Sequence, residues 1–312
     1  TQAVSGATGT VAAVNNVAGA RYLILTQTAG TWDETNAITS PGPVAIGTAT
    51  TITVTLTAQE TAQYLNAAAD VYRARIGAVP GSGSILGVLS MTFSGVDNVY
   101  AFRANAGGTA VDVYKTSASG WTNVPFYKTV TFTAGGTATP ADGATLTQGA
   151  VTATVKRVMA RSGAWTGTAA GAFVITTPAG GSFAAGAATL TGGATVTLSG
   201  VETAISMLPG GHVEWAKGNF SGQLSTRRAF GADGVNKCFE FDGDVLVPIT
   251  TGLTDDRPEH IAFHHNILFV SRDASITHCG PGEPYRWGAA DLGGEIAAGD
   301  VVTCMISMTG NQ

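Results

Sequence analysis

Three neighbouring histidines, His260, His264 and His265, have a side chain that commonly binds metal ions. Imidazole nitrogens are frequent zinc ligands, and histidines four positions apart share one face of a helix. Residues 260–264 instead predict a strand, on which His260 and His264 would lie roughly 13 Å apart. The spacing therefore predicts no metal site, and the histidines are interpreted as residues of a strand edge or an interface.

Acidic side chains cluster in two short turns, one holding Asp233 and the other holding Asp242 and Asp244. Carboxylates in a loop suit Ca²⁺, but calcium loops bring several oxygen ligands together in a regular series that is missing here. Aspartate in a tight turn also accepts hydrogen bonds from backbone N–H groups two or three residues further on. We therefore interpret these aspartates as residues that hold hairpins.

A glycine-rich segment, GSGSILG at residues 81–87, has the composition of a phosphate-binding loop. The dinucleotide-binding fingerprint requires a helix after its glycines, because the helix N-terminus holds the phosphate. Residues 85–93 predict a strand instead. The segment is interpreted as a hairpin loop, and no cofactor is expected.

The sequence carries no motif that is typical of a hydrolase. The nearest approach to the Asp-box of sialidases, SASGW at residues 117–121, lacks the aspartate and has a different spacing from Gly to Trp. No Gly-x-Ser-x-Gly elbow occurs, and no carboxylate pair stands in a recognisable setting. We therefore expect a protein that is not an enzyme, with no catalytic, cofactor-binding or metal-binding residues.

Two tryptophans, Trp32 and Trp165, occupy equivalent places in an internal repeat. Residues 1–57 and 147–200 share an order of landmarks: a glycine-rich opening, a strand, a turn that ends in tryptophan, a central strand and a TVTL run. The repeat predicts a small β-sandwich module used twice, each anchored by its tryptophan. In the alternative, Trp32 and Trp165 are ligand residues that stack on sugars.

The composition predicts an all-β protein. Apolar residues make up 44% and charged residues only 12%, which argues against disorder, and the 42 glycines favour strands joined by tight turns over helices. The net charge of −5 gives no electrostatic reason to expect tight binding to nucleic acid. No run of apolar residues is long enough for a membrane-spanning segment, and no secretory signal is visible at the first residue.

Residues 209–252 show the organisation of the chain best. Short alternating runs at 212–215, 227–230, 238–241 and 245–249 are separated by turn clusters, which predicts a four-stranded antiparallel meander like one blade of a β-propeller. Residues 258–312 predict a further blade, with strands at 260–264, 267–271, 275–279 and 301–308. Three widely spaced cysteines, Cys238, Cys279 and Cys304, are interpreted as buried hydrophobic residues of a reducing compartment.

The expected fold class is therefore all-β, with β-propeller-like blades and two small β-sandwich modules, one of them inserted between blade strands. A capping box that starts at Thr57 predicts a short connector helix. Strands at 71–76, 85–93, 99–103, 111–115 and 130–133 predict blades, and the blade pattern resumes at 201–207. The expected domains are a first sandwich-like module (1–57), the connector helix (58–69), blades (70–132), the inserted sandwich-like module (133–200) and further, truncated blades (201–312).

The region from Asn236 to Asp300 resembles phage and prophage virion proteins. It reads NKCFEFDGDVLVPITTG, then DRPEHIAFHHNILFVS, then SITHCGPGEPYRWGA and GGEIAAGD. This is similar to tail components of the nozzle type that carry a β-propeller, in which a strand pair containing Asp-Gly comes before a turn that ends in tryptophan. The earlier segments YRARIGAVPGSGSILGV and NVYAFRANAGG look like preceding blades of the same group.

The resemblance implies a structural subunit of a virion tail, assembled in the cytoplasm of the bacterial host. Such a subunit would form a ring with copies of itself, six being the expected number, and would contact other tail or portal-adaptor proteins. DNA would pass through the ring transiently and without specific binding. The alternatives are a tail adhesin that binds host-surface glycans through Trp32 or Trp165, and a glycan-cleaving propeller enzyme.

Overall fold

A computed structural model describes residues 8–17, 20–29, 37–39, 45–48, 77–117, 120–223 and 226–308. The chain divides into two compact units, Thr1–Gly77 and Ala78–Gln312. The described residues confirm the all-β class. The predicted connector helix, the TVTL run of the first module, the predicted strand at 71–76 and the tryptophan at position 32 lie outside the described residues.

The described residues of the first unit form two antiparallel strand pairs. Strand β1 (Thr8–Val17) pairs with β2 (Ala20–Ala29), and the pairing register shifts at two places. Strand β3 (Ala37–Thr39) pairs with β4 (Ala45–Thr48). The strand prediction for the first module is confirmed over these segments.

The second unit begins with a four-stranded antiparallel sheet, here called the first meander. Its strands, in chain and spatial order, are β5 (Ile85–Phe93), β6 (Val96–Ala104), β7 (Val111–Ser117) and β8 (Gly120–Val124). Leu89, Met91 and Phe93 point to one face of β5 and are buried, whereas the residues between them are more exposed. This period of two places one face of the sheet in a core.

The next seven strands form the inserted module. They are β9 (Lys128–Gly135), β10 (Thr145–Gln148), β11 (Val151–Ser162), β12 (Ala169–Ile175), β13 (Gly186–Leu190), β14 (Thr195–Leu198) and the short β15 (Thr203–Ala204). Six of them close in the order β9–β12–β11–β10–β13–β14, and β14 pairs with β9 again. The module is thus a closed six-stranded barrel.

The barrel corrects the sequence-based expectation of a β-sandwich at residues 133–200. Strand β9 is shared: Ala172 of β12 pairs with Thr131, and Thr197 of β14 pairs with Thr133. Closure removes the open strand edges that two packed sheets would keep. It also recruits segments assigned by sequence to the blades, because residues 130–133 belong to β9 and residues 203–204 pair with it as β15.

The second meander follows and confirms the four strands predicted within residues 209–252. Its strands are β16 (Glu214–Gly218), β17 (Arg228–Ala232), β18 (Phe239–Phe241) and β19 (Leu246–Pro248). The tight turn after β18 needs a glycine at Gly243, where φ is +101° and an added Cβ would lie 2.6 Å from the Tyr100 hydroxyl. This turn therefore sits directly against the first meander.

The third meander consists of β20 (His260–His264), β21 (Ile267–Arg272), β22 (Ser275–His278) and β23 (Gly294–Ala297), with a 3₁₀ turn at Ala289–Asp291 before the last strand. The fourth strand corrects the expected strand at residues 301–308. Gly294 lies against the His278 ring, since an added Cβ would be 2.9 Å from its Nε2 atom. Residues 301–308 follow as an irregular, largely exposed segment.

The described residues of the second unit form three hydrophobic cores. One fills the barrel around Phe132, Phe173 and Leu198. A second joins the first and second meanders, where the Tyr100 and Phe241 ring centroids are 5.0 Å apart, and it also includes Met159 from β11. The third lies between the second and third meanders and contains Phe230, Leu268 and Trp287.

The first strands of the three meanders are neighbours and run in the same direction. Val213 N–H donates to the Leu86 carbonyl, and four residues further along both strands Lys217 Nζ donates to the Ser90 carbonyl, each at 2.9 Å. Between β16 and β20, Glu214 contacts His260 near the strand starts and Gly218 meets Phe263 near the ends. β16 therefore lies beside β5, and β20 lies beside β16, with all three strands running in the same direction.

Candidate functional site

A cleft opens where the ends of these three first strands meet, and we call it the first-strand cleft. It has a volume of about 470 Å³, within the range of about 300–1,000 Å³ that is typical of small-molecule sites. Its lining comes from all three meanders and consists of Ser90, Met91, Thr92, Asp97, Lys217, Gly218, Asn219, Arg227 and Phe263.

Two cations and one carboxylate line this cleft. The Lys217 ammonium is anchored by one hydrogen bond to the Ser90 carbonyl and keeps two further N–H donors. The Asp97 carboxylate accepts a hydrogen bond from the Thr92 hydroxyl. The Arg227 side chain is exposed and has no ion pair among the described residues. The formal charge of the lining is therefore positive in a chain whose net charge is −5.

The apolar wall of the cleft is the Phe263 ring at the end of β20. It packs edge-on against Phe220 with ring centroids 5.0 Å apart. Gly218 lets the ring lie directly on β16, because an added Cβ would sit 2.8 Å from the Phe263 ring. The ring is half-buried, so that one side is held by the core and the rest faces the cleft.

Asn219 contacts two described residues between β16 and Arg227, namely Gln223 and Thr226. Its side-chain amide donates to the Gln223 carbonyl at 2.7 Å and accepts from the Thr226 hydroxyl at 2.8 Å. These two bonds join both ends of the segment between β16 and Arg227. Arg227 lies between β17, which begins at Arg228, and Thr226, whose hydroxyl is bound by Asn219.

A second polar feature is a buried ion cluster around Arg157, here called the Arg157 cluster. Arg157 projects from barrel strand β11 and is only 8% exposed. Its guanidinium contacts the Asp142 carboxylate of the barrel, the Asp242 carboxylate of the second meander at 2.5 Å and the Glu240 carboxylate at 3.1 Å. The last contact lacks hydrogen-bond geometry, because Arg157 Nε has no acceptor in line. The cluster joins the barrel to the second meander.

Glu240 carries the cluster on to the third meander. Its side chain is 3% exposed, it lies 3.1 Å from Arg228 Nε, and it accepts a 2.6 Å hydrogen bond from the Tyr285 hydroxyl. Burial raises the pKa of Tyr285 well above its ordinary value, and the Glu240 charge raises it further. Burial alone would lower the pKa of Arg157, but Glu240 and the other carboxylates outweigh this and raise it. Tyr285 therefore stays protonated as a hydrogen-bond donor, and Arg157 stays charged.

The histidines and aspartates that the sequence analysis considered have the following partners in the structure. His260 and His264 lie on one strand as predicted and have separate partners: Glu214 at 3.0 Å and the Ser307 hydroxyl at 3.0 Å. Asp233 accepts hydrogen bonds from the backbone N–H of the second and third residues after it, which confirms its turn role. Asp242 does the same with one oxygen and binds Arg157 with the other.

Trp165, the second candidate glycan-binding residue, lies in the turn between β11 and β12 and packs against the barrel core. Its ring stacks on Phe132 with centroids 5.4 Å apart and planes 24° apart, and it is half-buried. Trp32 lies outside the described residues. The predicted burial of the cysteines is confirmed for Cys238 and Cys279 and is wrong for Cys304, which is exposed.

Sequence reasoning missed both the cleft and the ion cluster. Lys217, Arg227 and Arg157 are single basic residues in otherwise ordinary strand patterns, and no motif marks them. The nearest signal was Asp242. Its turn role was predicted correctly, but its pairing with Arg157 was not. Only the folded chain brings these groups together.

Comparison with protein-family models, with curated proteins and with solved structures found no match to this chain. In the part of the chain that the structure describes, no three His, Cys, Asp or Glu side chains are grouped so that they would hold a metal ion. Within the same residues, no helix has the length and apolar character needed to cross a bilayer.

Proposed function

We propose that this protein is a non-enzymatic structural subunit of a phage virion tail, of the nozzle or tube-end type, that forms part of the DNA ejection channel. The observation that carries the proposal is the series of three antiparallel meanders whose first strands lie side by side in one direction. Successive blades of a β-propeller are related in this way. The propeller is the fold that the resemblance to nozzle-type tail proteins implies.

The Arg157 cluster supports a rigid subunit. A barrel inserted between two blades would pivot on its two connections if only loops held it. Here, buried charges of β11, the second meander and Tyr285 hold the barrel against the meanders. A rigid wedge with a fixed protruding module suits a ring built from repeated head-to-tail interfaces.

Exposed apolar residues on the third meander and beyond it support contacts with neighbouring subunits. Ile296, Val301, Ile306 and Met308 are all at least half exposed. A contiguous patch of exposed apolar side chains is typical of interaction sites, and we propose that these residues contribute to one. We propose that the partners are copies of this chain, in a ring of six, and other tail or portal-adaptor proteins.

The acidic balance of the chain suits a passage for DNA. A surface with few clustered cations makes few phosphate contacts and so would let DNA pass without retention. We propose that the protein resides in the virion tail after assembly in the host cytoplasm.

Electron microscopy of the purified full chain, together with mass spectrometry of purified phage particles, tests this proposal. We expect closed rings in class averages and the chain among the particle proteins. A strictly monomeric chain at assembly concentrations that is also absent from particles would overturn it.

A tail adhesin remains the second candidate function. Its original form, glycan stacking on Trp32 and Trp165, draws less support from Trp165, because one face of that ring is occupied by Phe132. A glycan array that compares the natural chain with Trp165→Ala and Trp32→Ala tests this form. Loss of a specific glycan signal in either variant would favour the adhesin, and an unchanged signal would exclude both tryptophans as the platform.

A further inference from the structure

We propose that the first-strand cleft is a binding site for an acidic saccharide, a sugar that carries a carboxylate beside free hydroxyl groups. The inference rests on the cleft alone and goes beyond the proposed role in the tail.

Arg227 lines the cleft and makes no ion pair among the described residues. Among the described residues, five arginines have a carboxylate partner within 4.0 Å: Arg157, Arg228, Arg257, Arg272 and Arg286. Arg103, Arg161 and Arg227 make no such ion pair there, and of these three only Arg227 lines the cleft. Arg227 has none, although acidic residues outnumber basic ones in this chain by 21 to 16. It faces the same cleft as Lys217, whose ammonium keeps two free donors. A planar guanidinium and an ammonium that line one cleft are suited to bind a carboxylate.

The Asp97 carboxylate disfavours binding of a bare anion in this cleft. An ionised carboxylate can only accept hydrogen bonds, and it repels sulfate, phosphate or a simple fatty acid. Asp97 is exposed in the cleft and has one short hydrogen bond from Thr92, so it keeps further acceptor capacity. A ligand that fits both Arg227 and Asp97 must offer hydroxyl donors close to its acid group. Uronic acids and related sugar acids have this combination.

The apolar wall of the cleft suits one face of a sugar ring. One face of a pyranose ring presents C–H groups, which pack against aromatic and aliphatic side chains. Phe263 supplies such a surface and is held in place by Phe220 and Gly218. Its rigid setting means that little conformational freedom is lost on binding. The cleft volume of about 470 Å³ limits the occupant to a small oligosaccharide unit.

Isothermal titration calorimetry of the full chain with digalacturonic acid tests the inference, with digalactose as the neutral probe and inorganic sulfate as the bare anion. We expect one molecule of digalacturonic acid to bind per chain, and both other probes to bind at least about tenfold more weakly. Arg227→Gln is expected to weaken binding of digalacturonic acid by about tenfold or more. The Arg227 side chain is exposed and makes no ion pair in the described part of the chain, so this variant should fold normally.

Arg257→Gln is the matched control, because Arg257 is an exposed arginine that pairs with Asp255 and does not line the cleft. It should leave the affinity for digalacturonic acid unchanged. Three results would overturn the inference: no binding of digalacturonic acid at millimolar concentration, equal binding of digalactose or sulfate, or an unchanged affinity in Arg227→Gln. None of these results affects ring formation, so the proposed tail function is tested separately.

Discussion

Replacing Arg157 by methionine tests whether the buried ion cluster stabilises the fold. Methionine keeps most of the side-chain length but removes the charge that neutralises three carboxylates. Of these, Glu240 is 3% exposed and retains Arg228 and Tyr285, whereas Asp242 is 19% and Asp142 43% exposed and both can recover hydration. Breaking a buried pair from one side costs about 3–5 kcal/mol. We expect a loss near the lower end, about 3 kcal/mol.

Urea denaturation followed by far-ultraviolet circular dichroism measures this loss as a change in the free energy of unfolding. Limited proteolysis would in addition show faster cleavage in the two connections between barrel and meanders, near residues 125–127 and 205–212. The control is Arg257→Met, which removes an exposed pair with Asp255 and should change stability little. A loss in Arg157→Met below about 1 kcal/mol would refute the view that the cluster holds the barrel in place.

A double-mutant cycle measures the interaction energy between Arg157 and Glu240 apart from the effects of the two single substitutions. Glu240→Gln removes the most deeply buried charge of the cluster while preserving its shape. If the two residues interact as the structure shows, the double variant should lose less than the sum of the single losses, by about 1–2 kcal/mol. Strict additivity would mean that Arg157 acts through Asp142, Asp242 or packing and not through Glu240.

Three further predictions follow from individual side chains. Burial alone would raise the pKa of Glu202, but hydrogen bonds from backbone N–H groups and Lys128 outweigh this and hold the pKa below its ordinary 4.5. Glu202→Gln should thus lower the free energy of unfolding most at pH 7, and this loss should shrink as the pH falls below 4.5. Denaturation curves recorded at several pH values measure the loss. Ellman's reagent should label only Cys304 in the native protein and all three thiols in denaturant, because burial raises the pKa of Cys279 to about 11 and that of Cys238 well above its ordinary value. Gly231→Ala should lower the thermal midpoint, since the new methyl group would overlap the Phe239 ring at a cost of about 1–3 kcal/mol, whereas Gly107→Ala, which meets only ordinary contacts, should not.

Local patterns in the sequence predicted the meanders well. Within residues 209–252, alternating apolar residues and Asp-Gly turns placed all four strands of the second meander within a few residues of their observed positions. The same reasoning placed β5 at Ile85–Phe93. These elements depend on period-two burial and on turn chemistry, both of which act between residues close in the chain.

The errors arose where pairing joins distant segments. The last strand of the third meander was expected at residues 301–308 because that run is apolar, but β22 pairs with Gly294–Ala297, where a glycine fits against the His278 ring. The inserted module was expected to be a sandwich, since its alternating strands suit either architecture. Closure depends on β9 pairing with both β12 and β14, which no local pattern reveals.

The amino-acid sequence by itself determined the all-β class, the meander segments and the turn roles of Asp233 and Asp242, because these follow from side-chain burial and backbone preferences over a few residues. Only the tertiary structure decided the closed barrel, the Arg157 cluster and the first-strand cleft. Arg157 meets Asp242 across 85 positions of the chain, and Ser90 meets Lys217 across 127. Groups at such separations interact only after the three meanders and the barrel have packed, so their partners cannot be inferred from spacing.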